Sequence, residues 1–193
     1  MTKNNANYEL KVILDKYAQD YKNTAEASRN AFMQSAKGGD MIPAPGHIYG
    51  NDYKAQFEQR CRGYQAEAEK ILDGVIEDTR AKATEAPSDE AVRVVQMLQL
   101  REELNADEVY NLLSVYGSNA QAYKAIASVA ASKDVYVMPC PIDEELKDLE
   151  ALKRDTAKTL TLANGENGHA EDGFLSFFKS ASIDAVLPTD NSK

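Results

Sequence analysis

Tryptophan is absent from this 193-residue chain, which also holds only two cysteines, two histidines, six prolines and ten glycines. Each shortage excludes something. Cys61 and Cys140 are far apart in unlike settings, so free thiols are expected rather than a disulfide framework. A zinc site needs three or four converging ligands. His47 and His169 both fall in loop-like stretches without a Cys or His at ligand spacing, so no metal is expected. No Gly-rich phosphate loop occurs, since 164–168 lacks a following Lys-Ser or Lys-Thr. No apolar run approaches the roughly 20 residues that span a bilayer. No apolar core follows the first five residues, so a secretory signal peptide is not expected. Cys61 has no nearby His to activate it and reads as a small core residue. No catalytic residue and no cofactor is assigned.

Basic stripes are missing as well. The formal charge is -9; residues 1–86 carry 12 basic and 13 acidic side chains, and residues 87–193 carry 10 and 18. The acidic second part would repel a phosphate backbone, so nucleic acid is not an expected partner. The same acidity leaves a second reading open, a small acidic inhibitor or adaptor that binds a host protein.

What is present is helical periodicity. Over 8–37, Leu10, Leu14, Tyr17, Tyr21, Ala25, Ser28 and Phe32 recur every three or four positions. Over 52–84 the stripe is Tyr53, Phe57, Cys61, Tyr64, Ala68, Ile71, Val75 and Thr79. Both predict long amphipathic helices on the order of 45 Å with a narrow, coiled-coil-like seam. Such a seam needs a partner, and the simplest one is the other helix. Gly38-Gly39 ends the first helix; the apolar loop with Pro43 and Pro45 joins it to the second, with Met41, Ile42, Ile48 and Tyr49 either folded back or exposed at a tip.

Shorter helices follow the break at Ala86-Pro87-Ser88. Ser88 caps 89–103, whose inward face is Val92, Val95, Met97, Leu98 and Leu100. Asn105 with Glu108, then Ser118 with Gln121, form capping boxes for 105–116 and 120–132. Residues 135–138, Val-Tyr-Val-Met, are an extended connector, and Pro139-Cys140-Pro141 is a stiff non-helical spacer. Asp143 caps a last sizeable helix, 143–162. Residues 164–168 read as a flexible linker.

The fold class is therefore all-α: a long antiparallel helical hairpin (1–86), a compact three-helix module (87–138), a C-terminal helix (139–163), and a linker with an apolar tail (164–193). Three of the five phenylalanines lie in that tail. Phe174, Leu175, Phe177, Phe178, Ile183 and Leu187 are the candidate partner-binding residues; the tail either docks on its own fold or is kept for a partner groove.

The segments Gln96-Met97-Leu98-Gln99-Leu100, Leu104-Asn105-Ala106-Asp107-Glu108 and 117–126, after a long charged hairpin with a Pro/Gly-containing tip, carry a resemblance. Over about residues 8–135 the chain resembles small helical structural proteins encoded among the capsid and head-assembly genes of tailed phages of Gram-positive bacteria. The resemblance implies a non-enzymatic, scaffold-like or minor structural role in virion head morphogenesis. It also implies virion or capsid subunits as partners and a location in the host cytoplasm or the virion. Self-association into a homo-oligomer is expected from the hairpin seam, and Lys179, a lone positive charge in the tail segment 173–188, argues against a membrane partner. The resemblance assigns no individual residue a role.

Overall fold

The computed structural model describes residues 2–35, 43–170 and 172–189. Helix makes up 79% of the described residues and no strand occurs among them, so the protein is an all-helical bundle. The elements are α1 (Lys3–Ser35), α2 (Asn51–Ala83), α3 (Asp89–Gln99), α4 (Ala106–Tyr116), α5 (Ala120–Ala131), α6 (Pro141–Thr159), α7 (Leu162–Asn164), α8 (Asp172–Phe178) and α9 (Asp184–Val186). Two π-helical turns, Gly165–His169 and Lys179–Ile183, adjoin the last three helices.

The chain divides into two compact units. One is Met1–Val75 with Leu149–Lys193, and the other is Ile76–Asp148. The division cuts through α2 and α6.

In the first unit, every stripe residue from Leu10 to Ser28 is buried. Tyr17 and Tyr21 both pack against the Phe57 ring, at 5.8 and 5.3 Å between centroids, and Tyr17 meets Tyr64 edge-on at 6.4 Å. Phe32 lies against Tyr49 at 5.1 Å. Ile48 is buried and the Tyr49 N–H donates to Ser28 Oγ, so these two loop residues fold back. Gly38, Gly39, Met41 and Ile42 lie outside the described residues.

The narrow seam expected of α1 and α2 is wider in the structure. Ala6, Asn7, Ile13 and Leu72 are also buried, because two further elements lie along the pair. From α6, Lys153 bridges Glu69 and Asp73 at 2.8 and 2.7 Å, and the Ala157 carbonyl accepts from Gln65. Leu149, Leu152 and Leu160 are buried on that side. The C-terminal segment covers α1. The start of the chain is held: the Asn5 N–H donates to Thr2 Oγ1, a capping bond, and α1 starts at Lys3.

The second unit has a core of Leu98, Val109, Leu113, Tyr123, Ile126, Val129 and Cys140, with Val135, Val137 and Leu146 packed on it. Here the structure corrects five expectations. Helix α3 ends at Gln99, not Glu103, and Leu100 is 88% exposed. Its true inner face is Ala91, Val94, Val95 and Leu98, which keeps the helical period, while Val92 and Met97 are exposed. Asn105 does cap α4, but Glu108 turns away to Arg101 at 2.5 and 2.6 Å instead of closing a capping box. Asn119, not Ser118, caps α5; Gln121 donates to the Ala83 carbonyl. Pro141 is no spacer but the first residue of α6, where a missing N–H costs nothing and the Cys140 carbonyl accepts from Asp143 and Glu144.

Helix α5 ends in a Schellman motif. The Val135 N–H donates to the Ala130 carbonyl and the Asp134 N–H to the Ala131 carbonyl, while Asp134 takes φ 59°.

Candidate functional site

Of the six tail residues chosen from the sequence, Phe174, Leu175, Phe177 and Phe178 belong to α8, Ile183 to the π-helical turn after it, and Leu187 directly follows α9. Leu175, Phe178, Ile183 and Leu187 are buried, Phe174 is half-buried, and Phe177 is 68% exposed. Phe174 and Phe178 stack at 6.4 Å. The segment reaches α1 through polar contacts as well. Asn7 Nδ2 donates to Asp184 Oδ1 at 2.8 Å and to the Leu187 carbonyl at 2.6 Å. Lys11 pairs with Asp184 at 2.5 Å, and Lys179 with Asp15. The Asn7 and Lys11 bonds hold the Asp184 carboxyl below the usual carboxylate value. Of the six residues, only Phe177 offers a partner a largely open side chain.

The stretch expected to be a flexible linker is instead helical, in α7 and a π-helical turn. Thr161 Oγ1 accepts from the Asn164 N–H, and the Thr161 carbonyl accepts from the Tyr17 hydroxyl at 2.7 Å. Glu166 pairs with Lys54 at 2.8 Å. Gly165 sits directly on the Tyr21 ring. Gly and Asn read as linker residues in sequence, but here Gly serves close packing.

Between α1 and α2 lies a polar cluster. Arg60 donates to Asp20 Oδ2 at 2.7 Å and to Thr24 Oγ1 at 2.8 Å, and the Tyr64 hydroxyl donates to Asp20 Oδ2. Burial, then the nearby Asp20 charge, pushes the Cys61 thiol up to about 12. Burial does the same to the Tyr64 hydroxyl, again with Asp20, and to Tyr21, both to about 12. Tyr17 is raised further, mainly by burial. These groups stay protonated at neutral pH; Cys61 is a buried thiol, not a thiolate poised for attack. Cys140, whose exposure the sequence left open, is buried in the second core. Among the described residues no group of three or more His, Cys, Asp or Glu is placed to hold a metal ion, and no helix is long and apolar enough to cross a membrane.

One surface of the first unit was not anticipated. A groove of about 400 Å³ runs between α1 and α2, floored by Val12, Ile13 and Ile71 with Tyr8 at its rim, 69% exposed. Glu9 and Lys16 on α1 and Glu67 and Lys70 on α2 flank it. Tyr8 and Val12 lie two positions from Leu10, roughly 160° round the helix from it at 3.6 residues per turn and so away from the Leu10–Leu14 stripe. The visible signal was Tyr8, a large apolar side chain off the seam.

No family model, curated protein or solved structure matches this chain.

Proposed function

We propose that the chain is a non-enzymatic assembly protein that associates with copies of itself, and that it serves as a scaffold-like or minor structural component in phage head morphogenesis. In this reading α1 and α2 form the antiparallel hairpin, α3–α5 the three-helix module, and α6 with the docked tail completes the hairpin side. The observation that carries it is the α1–α2 groove. On its apolar floor Val12 and Ile71 stay half-exposed beside the buried Ile13, and its rim is charge-balanced, two Glu and two Lys, on a chain whose net charge is -9. A balanced rim lets two acidic copies approach where like charges elsewhere would hold them apart, and lets Lys16 of one copy face Glu67 of the other. The acidic-adaptor reading has less support, because Arg101–Glu108, Lys124–Asp143 and Lys147–Glu144 already engage acids of the region that would mimic phosphate charge.

Sedimentation of the full chain, alone and with a candidate capsid subunit, tests the proposal. The wild type should exceed monomer mass and Tyr8→Glu should lower it. Lys16→Glu should weaken association, and adding Glu67→Lys should restore it. A wild-type monomer at all concentrations, or an oligomer indifferent to these changes, rules the groove out.

A further inference from the structure

The second unit carries a feature that the groove does not explain. Residues 135–138 leave α5 at the Asp134 turn and run back along it, since the Val135 N–H meets the Ala130 carbonyl and the Met138 carbonyl accepts from the Tyr123 hydroxyl at 2.9 Å. Two patterns of period two show that the run is extended. Val135 and Val137 are half-buried against the core, while Tyr136 and Met138 are 72% and 60% exposed. The carbonyls of Tyr136 and Met138 both accept tyrosine hydroxyls, from Tyr110 at 3.2 Å and from Tyr123. One edge of this extended run is thus occupied by side chains. On the opposite edge, among the described residues, no group pairs with the N–H or the C=O of Val137.

We propose that this free edge pairs with the same edge of a second copy of the chain, antiparallel, about a two-fold axis at Val137. The argument for a second copy is self-complementarity. In an antiparallel ladder, a hydrogen-bonded pair is two opposed residues that each give an N–H and take a C=O. Val137 has both groups free and needs a partner residue with both free, and another Val137 is one. That register places Tyr136 opposite Met138 of the other copy, twice. A thioether against an aromatic ring is a favourable cross-strand pair. Within one chain the Tyr136 hydroxyl already lies 3.7 Å from the Met138 sulfur, so the two groups are compatible neighbours. The four residues are uncharged and rich in β-branched and aromatic types, so pairing brings no like charges together within the ladder.

Pro139 and the turn at Asp134 limit the ladder. Pro139 has no N–H and the Val135 N–H is already used. The contact therefore consists of two backbone hydrogen bonds and two Tyr–Met pairs. It is a low-affinity contact suited to act with others in an assembly rather than alone. An exposed edge of this kind is a recognised route to chain–chain pairing.

The test uses the full chain in the Tyr8→Glu background, so that the groove and the strand edge are read separately. A Tyr136→Cys chain is mixed with a Met138→Cys chain under a mild oxidant. The proposed register brings residues 136 and 138 of different copies together in a non-hydrogen-bonded pair, about 4.5 Å between Cα atoms. The mixture should cross-link at least ten-fold faster than either chain alone. Tyr136→Lys with Met138→Lys, both at exposed positions, should leave the helical circular dichroism unchanged and weaken self-association at least ten-fold in sedimentation. Equal cross-linking in the mixture and the single-variant samples overturns the register. Unchanged association in the double-lysine variant overturns the edge as a contact.

Discussion

A Cβ added to Gly165 would stand 2.3 Å from Cε2 of Tyr21 and 2.4 Å from its Cδ2. The ring cannot yield freely, because Tyr21 is buried against Phe57 and its hydroxyl donates to the Gly46 carbonyl at 2.7 Å. Gly165→Ala should therefore destabilise the chain by about 1–3 kcal/mol, the usual cost of overpacking a filled site. Urea unfolding followed by circular dichroism measures it. A loss under about 0.5 kcal/mol would mean that the π-helical turn slides away at little cost.

Asn7 is the polar anchor between α1 and the C-terminal segment. Asn7→Ala removes two hydrogen bonds and leaves the Leu187 carbonyl without its donor, a loss of about 1–3 kcal/mol for a buried acceptor. Because the loss is local, amide exchange in 172–187 should quicken more than in α4 or α5. Acid should act on the same joint. The folded-state value of Asp184 is depressed by Asn7 and Lys11, so its contribution is present above the ordinary carboxylate range and is lost as pH falls through it. Exchange in the segment should rise below pH 4 in the wild type, and less in Asp184→Asn.

Alkali should weaken the fold from the α1–α2 interface. Burial raises Cys61 from 9.0, and Tyr21 and Tyr64 from 10.0, each to about 12. The unfolded chain releases these protons at the lower values, so the folded state binds more of them in between. Stability is thus complete below about pH 9 and declines as pH rises toward 12. Urea midpoints measured across that window should fall, and Cys61→Ala should flatten the early part of the decline. At pH 8 the native thiol should react with a disulfide reagent only as fast as the chain opens.

Asp134 holds a left-handed conformation at the end of α5, with φ 59°. That geometry costs an L-residue roughly 1–2 kcal/mol and glycine almost nothing. Asp134→Gly should raise stability, by about 0.5–1 kcal/mol once the greater freedom of glycine in the unfolded chain is subtracted. Thermal unfolding provides the measurement; a lower melting temperature would show that the Asp134 side chain contributes something the backbone geometry does not reveal.

The helices themselves were legible because local rules govern them. The Leu10–Ser28 stripe, the caps at Ser88 and Asn105, and the acidic first turn of α6 each depend on residues a few positions apart. Where the reading failed, a distant partner decided. Asn7 is polar and off the predicted stripe, yet it is buried because Asp184 and Leu187, distant in sequence, accept its amide hydrogens. Residues 164–168 looked like a linker because Gly and Asn usually mark one, and nothing nearby in sequence reveals the Tyr21 ring that requires a glycine. Glu108 fitted a capping box but lies closer to Arg101.

Sequence alone determined that this chain is helical and acidic and that its first two long segments each bury one stripe, because propensity and period are properties of neighbouring residues. Only the tertiary structure decided which apolar residues stay outside. Four of the six tail residues turned inward, whereas Tyr8, Tyr136 and Met138 remained at the surface, since burial depends on what packs across from a side chain and not on how apolar it is.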